Sequence, residues 1–261
     1  MTEPLHEIAL TPDEVSEILA ECGPHALLVG GQALALWASV YEVTPPKVLA
    51  ASISSDADFI GSAVLARKLG RALKGWDFWQ PTLDDATPQT AKLSRTVEGG
   101  VKQIDFLGTI AGLDTAAVQR RAAAITLASG VELRVLHPLD VLESRLQNLL
   151  LIPEKRHAAG IAQAQLAVRV ANAFLTRRIE EDASFREVLD AIERIGQIAT
   201  NKRLISVLLD YEIDILSAVP IEKVDHADFQ MKRWPPITQL VKERQSRYQQ
   251  QRARRTKRRL R

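Results

Sequence analysis

The chain has a single cysteine, Cys22, which excludes a disulfide framework and any metal site built from thiolates. It has no apolar run long enough to span a membrane. Its first residues, "MTEPLHEIAL", lack the basic-then-apolar layout of a secretory leader. The expected location is cytoplasmic, with no membrane partner. No internal repeat is present, and neither the glycine-rich loop nor the catalytic-loop signature of a protein kinase occurs. The last ten residues contain no acid at all.

What is there is ordinary in bulk and uneven in detail. The 261 residues are 46% hydrophobic and 25% charged, as in a globular protein with room for one large domain or two modest ones. The net charge is +2, but "RARRTKRRLR" at the end carries seven cations: Arg252, Arg254, Arg255, Lys257, Arg258, Arg259 and Arg261. Removing them turns +2 into −5. A mildly acidic body therefore ends in a basic tail. With nothing to bury and strong self-repulsion, the tail is expected to lack order until it meets a polyanion such as RNA.

Periodicity divides the chain. "LTPDEVSEILAEC" starts a helix, with Thr11 as N-cap, Pro12 at the first position and Glu14 closing a capping box. "HALLVGG" is a short buried strand and "QALALWASVY" a helix of small residues. "DADFIG" ends a strand, and "SAVLARKLGRALKG" has helical spacing. "GWDFWQPTLDDATP" is irregular, with Asp84-Asp85 in a solvated turn. "AKLSRTVEGGVKQIDFLGT" is a hairpin turning at Gly99-Gly100, and "AAITLASGVELRVLHP" a second one turning at Ser129-Gly130. No strand is convincing after residue 137, where amphipathic helices take over. This predicts an α+β fold: a mixed-sheet domain with flanking helices at 1–137, a helical domain at 138–220, and a polar, largely disordered basic tail at 221–261. Trp37, Trp76 and Trp79 are expected in the core.

Three acids occupy strand-like contexts. Asp56 and Asp58 in "SSDADFIG" share one face of a strand, because side chains alternate. Asp105 in "KQIDFLGT" is flanked by Ile, Phe and Leu. Acids on neighbouring buried strands repel one another unless a cation lies between them. Hard oxygen ligands suit Mg²⁺, and two such ions clamping a triphosphate support displacement at phosphorus. Upstream, Gly30-Gly31 falls where a strand ends and a helix begins. There, backbone N–H groups and the positive end of the helix dipole can receive a phosphate. Gln32 adds a side-chain donor, and Ser55 stands beside the acids. Alone, a Gly-Gly pair is more often a plain turn and Asp-x-Asp more often a solvated loop; their order along the chain gives the set its meaning.

"LVGGQALALW", "ISSDADFIG" and "KQIDFLG" resemble the glycine motif, the Asp-x-Asp motif and the third carboxylate of the nucleotidyltransferase superfamily, which has a polymerase-beta-like fold. The long gap from Gly31 to Asp56, followed by "LHPLDVLESRLQNLL", is more similar to the AbiEii-type branch. The resemblance covers roughly residues 25 to 175. It implies catalytic and metal-holding roles for Asp56, Asp58 and Asp105, with two Mg²⁺ ions. The glycine pair, Gln32 and Ser55 would bind a nucleoside triphosphate substrate. The branch includes toxins of toxin–antitoxin systems that transfer nucleotides to RNA, such as tRNA, or to protein, so a cognate antitoxin is an implied partner. Where the branch carries a Lys on the first C-terminal helix and then an Arg-Asp pair, this chain has Arg145 and Arg156-His157. Arg145 can grip phosphate bidentately but cannot exchange a proton as Lys can; Lys155 and Arg156 are further phosphate-binding candidates. Against the enzyme stands a non-catalytic member of the fold, an adaptor or antitoxin-like protein that binds nucleotide or nucleic acid.

Overall fold

The computed structural model describes residues 6–49, 53–82, 84–127, 130–181 and 183–259, with side chains described as far as Arg254 at the C-terminal end. The chain divides into two compact units, Met1–Ser144 and Arg145–Arg261. The architecture is α+β.

The first unit is built on a seven-stranded mixed sheet. In chain order its elements are α1 (Pro12–Cys22), β1 (Leu27–Val29), α2 (Gly30–Val40), β2 (Ala57–Ile60), α3 (Ala63–Ala72), β3 (Asp77–Trp79), β4 (Gln89–Val97), β5 (Gly100–Leu107), α4 (Thr115–Arg121), β6 (Ala123–Thr126), β7 (Glu132–Val135) and α5 (Pro138–Leu151). Strand order is β3-β4-β5-β2-β1-β7-β6. The β1–β7 and β2–β5 pairs are parallel and the rest antiparallel. α1 starts as its sequence dictates: Thr11 accepts from the Glu14 backbone N–H, and the Glu14 carboxylate accepts from the Thr11 N–H at 2.7 Å. Both strand pairs expected as hairpins form; Ser129, at the turn of the second, lies outside the described residues. Residues 76–80, expected to be irregular, instead supply the edge strand β3, whose three residues pair with Lys92–Ser94 of β4.

One face of the central strands is apolar. Ala57, Phe59, Ile104 and Phe106 are buried, and the two phenylalanines stack at 5.6 Å. Trp37 joins the core, where its indole N–H donates to the Leu136 carbonyl at 2.7 Å, whereas Trp79 on the edge strand is 42% exposed. Because strand side chains alternate, the polar residues between these apolar ones point to the opposite face. That face carries the acids.

The division between units falls at 144/145, inside α5, rather than at the expected 137/138. The second unit is helical, as expected, with α6 (Ala158–Glu180), α7 (Phe185–Thr200), α8 (Ile205–Asp210) and α9 (Trp234–Arg259). No described residue after 137 is in a strand. The expectation of a largely disordered region from 221 onward is corrected by α9. Pro235 and Pro236, read as interruptions, follow a π-helical turn at Phe229–Arg233, and the helix continues through them. Val241 is buried, and the Arg, Gln and Lys residues that follow are good helix formers. Among the described residues, no helix is long and apolar enough to cross a membrane.

Candidate metal and nucleotide site

Register brings the acids together. β2 and β5 run parallel with Asp58 opposite Asp105, and Asp56 stands two residues before Asp58. One carboxylate oxygen from each of Asp56, Asp58 and Asp105 lies within 4.8 Å of the others. The spacing expected from the sequence is therefore realised, and Asp105 shares the face of the other two.

Asp105 is the most enclosed of the three, with its side chain 13% exposed. Burial pushes its carboxyl up to about 6; the Lys92 ammonium pulls the other way, while Asp56 and Glu7 add to the rise. Lys92 lies directly across from Asp105 on β4, its Nζ 3.7 Å from Oδ1. Gln89 donates from Nε2 to the same oxygen at 2.8 Å. Gln89 reaches this face because of a bulge: Ala91 pairs with Phe106 but Gln89 with Leu107, which leaves Thr90 as the extra residue. Thr90 turns its hydroxyl to the carbonyls of Gly61 and Phe106 instead.

The glycine turn adjoins the acids. Gly30 has φ +68°, a conformation that glycine adopts without strain, as the chain passes from β1 into α2. A Cβ at Gly30 would lie 1.9 Å from Asp58 Oδ2, and one at Gly31 would lie 2.3 Å from the Ser54 hydroxyl. A side chain at Gly30 would displace Asp58, and one at Gly31 would displace Ser54. The Asp58 carboxylate thus sits beside the N-terminus of α2, where the helix dipole favours negative charge. Gln32 donates from Nε2 to the Ser54 carbonyl at 3.3 Å, and Ser54 Oγ donates to Asp56 Oδ1 at 2.7 Å.

Four residues at the site escape sequence reasoning: Lys92, Gln89, Ser54 and Glu7. Ser54, rather than Ser55, is the serine that orients a site carboxylate. Ser55 Oγ donates to Glu7 Oε1 at 2.9 Å, away from the role expected for it. Glu7 arrives because the segment before α1 bridges to Val101 of β5, a long-range pairing that no local pattern announces.

The cationic candidates of the second unit have identifiable tasks within it. Arg145 is 8% exposed, and its Nη1 donates to Gln163 at 3.2 Å. Arg156 donates to the carbonyls of Leu149 and Leu150 at 2.8 and 2.7 Å, closing the C-terminal end of α5. His157 is the N-cap of α6 and accepts from the Gly160 N–H. Lys155 is exposed. In the basic tail, Arg252 pairs with Asp210, and Arg254 is exposed. Arg255, Lys257, Arg258 and Arg259 continue α9, and Arg261 lies outside the described residues.

Neither a protein-family model nor a curated protein matches the chain. The functional reading therefore rests on the donor set. Carboxylate oxygens of Asp56, Asp58 and Asp105 lie close enough together to hold a metal ion.

Proposed function

We propose that the first unit is a metal-dependent nucleotidyltransferase, transferring a nucleoside monophosphate from a nucleoside triphosphate to a hydroxyl of RNA or protein. The observation that carries this reading is the convergence of Asp56, Asp58 and Asp105 beside a glycine turn whose Cβ positions are already filled by Asp58 and Ser54.

Bound Mg²⁺ would supply charge neutralisation at the triphosphate and lower the barrier to displacement at the α-phosphorus. The protein's own residues do the rest. Asp56, Asp58 and Asp105 hold the cations, and Ser54 fixes the orientation of Asp56. Gly30-Gly31 seats Asp58 and Ser54 against the first turn of α2, whose N–H groups are offered to the phosphates. The raised Asp105 carboxyl suits this role, since a buried acid with excess negative neighbours gains most from a cation.

The cations of α9 supply attraction for RNA. A body of net charge −5 repels a polyanion, and the seven cations at 252–261 reverse that locally. The resemblance of the glycine and Asp motifs to the AbiEii-type branch extends the proposal to the toxin of a toxin–antitoxin pair. Calorimetric titration with each triphosphate in Mg²⁺ and in EDTA tests the reading. Binding that needs Mg²⁺ and disappears in Asp58→Asn supports the enzyme. Binding of equal strength in EDTA supports the non-catalytic adaptor.

A further inference from the structure

Across the sheet the site is laid out in a line. The glycine turn ends β1, Asp56 and Asp58 belong to the β2 segment, Asp105 to β5, and Lys92 and Gln89 to β4. The strands are neighbours in that order, so the acids lie between the glycine turn and the polar patch on β4. In a displacement at phosphorus, the attacking oxygen and the leaving group occupy opposite sides of the reacting centre. A triphosphate seated on the glycine turn leaves the β4 side for the acceptor.

On that side Gln89 braces Asp105 and Lys92 is ion-paired with it, but Lys92 is not confined to that pair. Lys92 Nζ lies 3.7 Å from the Asp105 carboxylate, beyond hydrogen-bond distance, and donates instead to Gln103 Oε1 at 2.9 Å. An ammonium has three N–H donors, so donor capacity remains. The Lys92 side chain is 29% exposed, which makes it reachable from solvent. Gln103 follows the same pleat as Asp105, and the bulge at Thr90 turns Gln89 onto that face too. Cation and amides thus form a patch beside the acids, Lys92 and Gln89 from β4 and Gln103 from β5. Glu7, the other charged group near Asp105, is engaged by Ser55.

We propose that Lys92, with Gln89 and Gln103, forms the acceptor subsite, and that it takes the terminus of a polynucleotide, with Lys92 holding the phosphodiester next to the attacking hydroxyl. This rests on the nucleotidyltransferase reading and selects RNA over a protein hydroxyl, since an acceptor serine or threonine brings no anion to meet the ammonium. In the transfer, the terminal hydroxyl oxygen forms the new bond to the α-phosphorus. The bond from that phosphorus to the bridging α–β oxygen breaks, pyrophosphate leaves with the bonding pair, and the hydroxyl proton passes to solvent. Lys92 takes no part in these bonds. It positions the acceptor.

The test uses the full chain with Mg²⁺ and a triphosphate whose α–β bridge is a methylene, so that binding is read without turnover. Two fluorescent oligoribonucleotides are compared, alike except that in one the last linkage is an uncharged methylphosphonate. Both engage the basic tail equally, so their difference reports the terminal contact. The wild type is expected to prefer the phosphodiester by roughly tenfold, as for a charge-assisted contact. Lys92→Gln should abolish the preference, retain triphosphate affinity and unfold near the wild-type temperature. Lys92→Arg should restore part of the preference, which also guards against a misfolded glutamine variant. If triphosphate binds but the wild type shows no preference, or if Lys92→Gln keeps it, the subsite is wrong while the enzyme reading stands. Efficient labelling of a peptide hydroxyl that is indifferent to Lys92→Gln would likewise replace RNA with protein as acceptor. Absence of Mg²⁺-dependent triphosphate binding by the wild type overturns the enzyme reading and the subsite together.

Discussion

Replacing Asp105 with asparagine should stabilise the metal-free protein, and the gain should depend on pH. The Asp105 carboxyl titrates at about 6 in the folded chain against 3.8 without burial. At about 1.4 kcal/mol per pH unit, the folded state holds this charge at a cost of about 3 kcal/mol once the pH is above 6. The sign follows from proton uptake: between pH 4 and 6 the folded state binds more protons than the unfolded one, so stability falls as pH rises through that window. Asparagine removes the titration but keeps a side-chain oxygen that can accept from Gln89. It also removes the attraction to Lys92, which trims the gain. Urea unfolding in EDTA should therefore give nearly equal stabilities for wild type and Asp105→Asn at pH 4. The variant should lead by up to about 3 kcal/mol at pH 7.5. Mg²⁺ at about 1,000 times its dissociation constant should reverse the order, because it stabilises the wild type by about 4.1 kcal/mol and has lost one of its holders in the variant. A difference between the two proteins that does not change with pH would refute the reasoning.

Gly31→Ala should weaken Mg²⁺–triphosphate binding several-fold and lower stability, because the new methyl would lie 2.4 Å from Ser54 Cβ and displace the serine that orients Asp56; titration and thermal melts check both. Gly30→Ala should lose stability as well, since φ there is +68° and the methyl meets Asp58. Arg156→Ala should lower stability by about 1 kcal/mol through the exposed end of α5 and leave triphosphate affinity unchanged in the same assays. Deleting residues 252–261 should weaken RNA binding and reduce the salt slope of log affinity by up to about 5 on single strands, measured by anisotropy at several salt concentrations.

Elements with their own local signal are legible in the sequence. The capping box at Thr11–Glu14, the turn at Gly30-Gly31 and the alternation around Asp58 and Asp105 each follow from a few adjacent residues. β3 is not legible, because three residues with two exposed side chains carry too little alternation to stand out from the loop around them. The bulge that turns Gln89 toward Asp105 and the bridge that brings Glu7 to β5 are properties of strand pairing, which sequence spacing does not encode. α9 is hidden because two prolines ordinarily stop a helix in its interior, whereas here they follow a π-helical turn at Phe229–Arg233 and the helix carries on. Arg156 has the position of a phosphate ligand, while its guanidinium serves the carbonyls of α5.

The central claim is that Asp56, Asp58 and Asp105 form a metal centre for nucleotide transfer. Its most direct test is incubation of the purified chain with each α-phosphorus-labelled triphosphate, tRNA and Mg²⁺, scoring both label on the acceptor and pyrophosphate released. Incorporation matched one-for-one by pyrophosphate is expected with at least one triphosphate, and it should be lost in EDTA and in Asp58→Asn. Incorporation that persists in Asp58→Asn, or its absence with every triphosphate on both RNA and lysate protein, would contradict the claim.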